Sequence, residues 1–290
     1  MSDRIEKTFA KLRSEKRAAL IPFIMGYDPD AATTAALLDA LPGAGANIIE
    51  IGMPFSDPMA DGPVIQAAGK RALATGATVA GILELVRGFR KKHADVPIIL
   101  MGYFNPVYRY GLPTPERSLS AKAGSLQQSS GFAQAGNEKF CKDAAAAGVD
   151  GIILVDLPPE EEQEIRPYLD SSGLKLIRLV APTSGDARLP LLAKSASGFI
   201  YYISVTGITG AKAADTGALK TKIEHLRQFT KLPIAVGFGI KTAAQVKEVS
   251  AFSDAVVVGS ALVDIIGKAK GKEDIVKSSI EFVRQLANAL

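Results

Sequence analysis

The run Ile48-Ile49-Glu50-Ile51-Gly52-Met53-Pro54-Phe55-Ser56-Asp57-Pro58-Met59-Ala60-Asp61-Gly62-Pro63 holds one complete unit of the fold. It opens as a short, nearly unbroken apolar stretch, passes through a Gly- and Pro-rich loop, and meets helical periodicity over residues 64–72. An apolar stretch of this length is what a strand covered on both faces requires. The unit recurs along the chain. Apolar runs at 19–25, 48–51, 97–101, 152–155, 175–180, 199–203, 233–236 and 255–258 make eight, with helical patterns at 31–41, 64–72, 81–90, 141–147, 159–169 and 243–250 between them. Strand–helix alternation sustained over the whole chain predicts an α/β fold in which parallel strands close into a (β/α)8 TIM barrel. Barrels of this kind take roughly 250 residues as one domain, so residues 1–290 are expected to form a single domain.

One stretch breaks the rhythm. Residues 112–136, between the third strand and its helix, are rich in Ser, Ala, Gly and Gln and poor in large apolar residues. A loop of that length inside a compact domain is unusual, and its composition predicts a flexible insertion on the surface.

Composition narrows the function classes. With 47% hydrophobic residues the chain can bury a full core, and its net charge of +4 is mild. The basic residues are scattered, apart from short clusters such as Arg87, Arg90, Lys91 and Lys92, which argues against nucleic-acid binding. Cys141 is the only cysteine, so an internal disulfide is impossible and a Cys-based zinc site is excluded. It is expected to be a buried helical residue. No metal site is expected. The charged segment 3–17 lacks the apolar core of a signal peptide and no run has the length of a membrane span, so a soluble, cytoplasmic protein without membrane contact is expected.

Active sites of (β/α)8 barrels form at the carboxyl ends of the strands. Glu50 interrupts an apolar strand, where an ionised carboxylate is costly without a partner. Its alternate neighbours are Ile48 and Gly52, which places it on their face, toward the barrel interior. A salt bridge to Lys175 or Arg178, the only basic residues in the apolar runs, is the alternative to a catalytic role. Asp57 and Asp61 lie in the following loop, and Asp61 could serve simply to cap the helix that begins near Pro63. Near the end of the chain, Ser204 through Gly210, Gly237-Phe238-Gly239 and Gly259-Ser260 follow successive strands. Glycines allow backbone N–H groups to approach an anion, and the loops after strands 7 and 8 are the usual phosphate site of this architecture.

At these residues the chain resembles the tryptophan synthase α-subunit family over nearly its whole length. The match is strongest from Ile49 through Gln66. It continues at Met101-Gly102-Tyr103-Phe104-Asn105-Pro106, Asp156-Leu157-Pro158-Pro159-Glu160-Glu161, Ala181-Pro182-Thr183, Ser204 through Gly210, and Gly237-Phe238-Gly239-Ile240. The resemblance implies a lyase that splits indole-3-glycerol phosphate by retro-aldol cleavage, with Glu50 the acid/base at indole C3 and the glycerol hydroxyl, and Asp61 bound to the indole N1–H. It further implies that Phe23, Tyr103, Ile153 and Leu179 line the indole pocket, that Tyr201 lies near the glycerol moiety, and that Thr209 sits on a lid loop. Gly210, Phe238, Gly239, Gly259 and Ser260 match phosphate-binding positions. The family works as an α2β2 heterotetramer with no metal or organic cofactor in this subunit, pyridoxal phosphate belonging to the β partner. The loops after strands 2, 3 and 6 match that partner's docking surface, and the family lacks most of the 112–136 segment. A stand-alone lyase, a non-catalytic allosteric partner and a phosphosugar isomerase are the competing possibilities.

Overall fold

The structure, a computed structural model, describes residues 3–112, 128–203, 216–237 and 239–290, with backbone alone over 128–134. Its strands are β1 (Ala19–Met25), β2 (Ile49–Gly52), β3 (Ile98–Gly102), β4 (Gly151–Leu154), β5 (Lys175–Leu176), β6 (Arg178–Val180), β7 (Ile200–Ile203), β8 (Ile234–Gly237) and β9 (Ala255–Val258). Every pairing between them is parallel, in the order β5-β4-β3-β2-β1-β9-β8-β7-β6. The two ends of this order are consecutive pieces of the single run expected at 175–180, parted only at Ile177. The sheet therefore returns on itself as the predicted TIM barrel.

The surrounding helices are α1 (Arg4–Ser14), α2 (Ala31–Ala40), α3 (Pro63–Ala74), α4 (Val79–Arg90), α5 (Phe104–Tyr108), α6 (Gln128–Ala147), α7 (Arg166–Ser172), α8 (Leu189–Ser195), α9 (Thr216–Leu226), α10 (Ala243–Ser250), α11 (Ser260–Lys268) and α12 (Lys272–Ala287). No single helix among the described residues is long and apolar enough to cross a membrane. Alternation along each strand separates two cores. Outward residues such as Leu20, Ile49, Leu100 and Val256 pack beneath the helices. Inward residues, among them Ile21, Ile48, Ile99, Ile153, Phe199 and Val257, fill the barrel.

The charged segment at the start of the chain folds into α1, a helix that composition alone did not reveal. Asp3 caps it by accepting from the Glu6 N–H at 3.0 Å. Ile5, Phe9 and Leu12, at helical spacing, join the interior cluster, with Phe9 and Phe199 rings 5.8 Å apart. Ion pairs from Arg4 to Asp150 (2.8 Å) and from Asp3 to Lys175 (2.7 Å) fasten this plug to strand beginnings. It closes the amino-terminal end, away from the expected chemistry. Phe9→Ala is therefore expected to cost about 3–5 kcal/mol of stability, measured by urea unfolding, with kcat of the folded protein unchanged. A matching loss of kcat would contradict this separation of roles.

Two helical expectations are corrected. The helix expected at 159–169 is a 3-10 turn, Pro159–Glu164, followed by α7. Pro167 lacks an N–H and is tolerated only in a first helical turn, so a new helix starts there. The helix expected at 141–147 begins at Gln128, because α6 docks through small residues rather than an apolar stripe. A Cβ on Gly136 would meet the Tyr108 carbonyl oxygen at 2.0 Å, and buried Asn137 donates to the Glu164 carbonyl at 3.0 Å. Of the stretch 112–136, residues 113–127 lie outside the described residues and 128–136 form the first turns of α6. Cys141 is buried in this helix, and burial pushes its thiol up to about 12.

Candidate functional site

The register places Glu50 between Phe23 of β1 and Ile99 of β3, facing the barrel interior as expected. It is 1% exposed, and its Oε1 has no hydrogen-bond partner among the described residues. Burial alone pushes its carboxyl up to about 8. The salt-bridge alternative does not hold, since both candidate cations are engaged elsewhere. Lys175 pairs with Asp3 at the opposite end of the barrel. Arg178 points outward, donating to Ser195 Oγ at 2.5 Å and the Leu157 carbonyl at 2.7 Å, and pairing with Glu162.

Around Glu50 lies the carboxyl-end layer of inward side chains. Ile153 belongs to the interior cluster, against which Leu179, Tyr201, Met101 and Val155 pack. Leu179 and Tyr201 are register partners across β6 and β7. Burial first, and then the nearby charge of Glu50, raise the Tyr201 phenol well above its ordinary value. Glycines make room for the rings. A Cβ on Gly237 would lie 2.4 Å from the Tyr201 hydroxyl, and one on Gly52 would lie 2.6 Å from the Phe23 ring. Phe23 also borders Gly259. It thus joins the carboxylate strand to the start of α11, where Gly259 is the N-cap and Ser260 the first helical residue. The glycine cap supplies no side chain to that helix, whose leading N–H groups follow directly on the carboxyl end of β9. Gly239 has φ +59°, in the left-handed region that glycine alone enters without strain.

Asp61 comes from the loop after β2. It does not cap α3: the N-cap is Gly62, and no side-chain cap bond is made there among the described residues. Its carbonyl accepts from Gln66 Nε2 at 2.9 Å, which fixes the backbone and leaves the carboxylate to other partners. Tyr103, just past β3, accepts from the Ala60 N–H at 2.9 Å, which brings its hydroxyl next to Asp61. Burial raises the Asp61 carboxyl, and the Tyr103 hydroxyl partly opposes it.

Thr209, Gly210 and Phe238 lie outside the described residues. Ser204 through Ile208 lie outside them as well, and the remaining predicted site residues, Phe23, Glu50, Asp61, Tyr103, Ile153, Leu179, Tyr201, Gly239, Gly259 and Ser260, lie on the strands or in the segments that follow them. One further pair was missed. Asp28, buried just after β1, is held bidentately by Arg71 of α3 at 2.7 and 2.8 Å. An acidic residue in the turn directly after an apolar run was the legible signal.

The family described as tryptophan synthase alpha chain matches residues 9–123 and 129–290. The chain belongs to the tryptophan synthase alpha chain family. It is 48% identical to the tryptophan synthase alpha chain of Phenylobacterium zucineum (strain HLK1), covering 99% of this chain and 95% of that one. It is 49% identical to that of Acidiphilium cryptum (strain JF-5), covering 99% and 97%. Among solved structures, tryptophan synthase subunit alpha from Legionella pneumophila str. Paris superposes with TM-score 0.84 at 36% identity, covering 100% and 98%. A chain of tryptophan synthase from M. tuberculosis gives 0.81 at 30% identity, covering 99% and 98%. Membership in the tryptophan synthase alpha chain family makes this a lyase of tryptophan biosynthesis.

Proposed function

We propose that this chain splits indole-3-glycerol phosphate into indole and glyceraldehyde 3-phosphate with Glu50 and Asp61 as its two catalytic groups. Glu50 carries the assignment: a fully buried carboxyl, protonated near neutrality, with one oxygen unpaired among the described residues. A protonated carboxyl can deliver its proton to indole C3. The resulting carboxylate then takes the glycerol hydroxyl proton. As that proton leaves, the hydroxyl carbon becomes the aldehyde, and the electron pair of the broken C–C bond restores the indole ring. Between the two transfers the ring is an indoleninium, whose N1–H bears positive charge, and an ionised Asp61 stabilises it. Both transfers are served by Glu50, and no metal or organic cofactor is assigned to this chain.

The phosphate is assigned to the start of α11, at Gly259 and Ser260, with Gly239 beside it. Ser260→Asp would place a second negative charge there. It is expected to raise KM for indole-3-glycerol phosphate about tenfold or more, because like-charge juxtaposition costs several kcal/mol. An unchanged KM would move the phosphate site elsewhere.

The partner assigned is a β subunit carrying pyridoxal phosphate, in an α2β2 heterotetramer. Met59, 81% exposed on the loop after β2, is left uncovered by the described residues and is available to a partner docking there. Indole release by the purified chain, alone and with a cognate β subunit, tests the proposal. Slow cleavage strongly accelerated by β is expected. Fast cleavage indifferent to β would identify a stand-alone lyase, and no cleavage in either condition would remove the catalytic assignment.

A further inference from the structure

Asp61 is exposed to two liabilities. It sits in a loop without regular structure between β2 and α3, and partial burial works against its charge. One hydroxyl addresses both. Tyr103 is 2% exposed, its ring lies 5.3 Å from that of Phe55, and the next residue's N–H donates to Asp156 Oδ1 at 2.7 Å. The phenol is thus anchored on one side by the loop after β4 and on the other by the loop that carries Asp61. A phenolic oxygen has one proton to donate and lone pairs to accept with. Here the Ala60 N–H occupies a lone pair at 2.9 Å, which leaves the hydroxyl proton uncommitted to that contact and holds the oxygen beside the next residue, Asp61.

We propose that Tyr103 is a positioning residue for Asp61, its hydroxyl tethering the loop at Ala60 and donating to the carboxylate while leaving acceptor sites for the substrate N–H. This rests on the role given to Asp61 above. A carboxylate has about four lone-pair sites, so it can accept from Tyr103 and from an indole N–H together. Tyr103 stays a donor across the working pH range. Its phenol is pushed up to about 12, chiefly by burial, and the charges acting on it, Asp61 and Asp156, are both acidic. Among the described residues, this hydroxyl is the group that opposes the effect of burial on Asp61. Without it, Asp61 would hold its proton to higher pH and its loop would lose a tether.

The test is a double-mutant cycle in the full chain, with Tyr103→Phe, Asp61→Asn and both together, each assayed for indole release across pH 5–9. Phenylalanine keeps the ring packed on Phe55. Tyr103→Phe is expected to lower kcat about tenfold or more, to change KM little, and to shift the acid limb of the kcat/KM profile to higher pH. In the Asp61→Asn background the same change should alter kcat by less than about twofold, because coupled residues are not additive. Equal losses in both backgrounds would reveal a merely structural role and overturn the proposal. So would an unmoved acid limb with kcat within about twofold of the unaltered protein, the threshold being set by the same coupling logic. If Asp61→Asn itself kept full activity, the role of Asp61 would fail and this proposal with it. If Asp61→Asn were slow and Tyr103→Phe were not, only the positioning role would fail.

Discussion

Glu50→Gln is expected to lower kcat for indole release by roughly 10²–10⁴-fold, the usual contribution of a general acid–base group, while the folded chain persists. Glutamine has nearly the same shape but can neither give nor take the proton. The substitution should also separate catalysis from stability. The Glu50 carboxyl has a folded value of about 8 against 4.5 when unfolded, so between those values the unfolded chain releases a proton that the folded chain retains. Its contribution to stability is fully present below pH 4.5 and is lost as pH rises to about 8, an effect on the order of 4 kcal/mol. Glutamine has no such dependence. Relative to the unaltered chain, the variant should therefore gain stability as pH rises from 5 to 8, read from urea unfolding at the two values. A stability difference that is the same at both would mean the carboxyl is not held in its neutral form by burial. The unaltered enzyme should lose kcat/KM above about pH 8 as Glu50 ionises.

Asp61→Asn is expected to lower kcat by about 10²–10³-fold, the cost of removing one group that stabilises developing charge, with little change in KM. Asparagine still accepts a hydrogen bond from an N–H, so ground-state binding survives. What it lacks is the negative charge opposite the indoleninium. Because the side chain does not cap α3, stability should change by no more than about 0.5 kcal/mol. Thermal unfolding beside steady-state kinetics distinguishes the outcomes. A clear loss of stability with kcat preserved would return Asp61 to the role of a loop-holding residue.

The periodicity of the chain determined the barrel. Strands covered on both faces must be apolar throughout, and each observed strand lies within one residue of its apolar run, except for the break at Ile177. The direction of Glu50 followed from the same rule of two, since a side chain must share a face with its second neighbours. Its importance followed from the cost of burying a carboxylate. The substrate did not follow from physics alone; it came with the ordered match from Ile49 through Gln66.

Other features depended on contacts between segments far apart in the chain. Local sequence allowed Asp61 to be either a cap or a catalyst, and only the placement of Gly62 as the cap of α3 removed the first choice. The salt-bridge alternative for Glu50 could be dismissed only once Arg178 was seen to lie on the outward face with Glu162. The start of α6 was hidden because it packs by what it lacks: Gly136 admits the Tyr108 carbonyl, and no apolar stripe announces that contact. The hydroxyl of Tyr103 holds the Ala60 N–H across 43 positions of sequence, a distance over which local pattern carries no information. Period and burial cost act on neighbours, so a sequence displays them. The partner of a given hydrogen bond is chosen only when the barrel closes and brings the loops of different strands to one mouth.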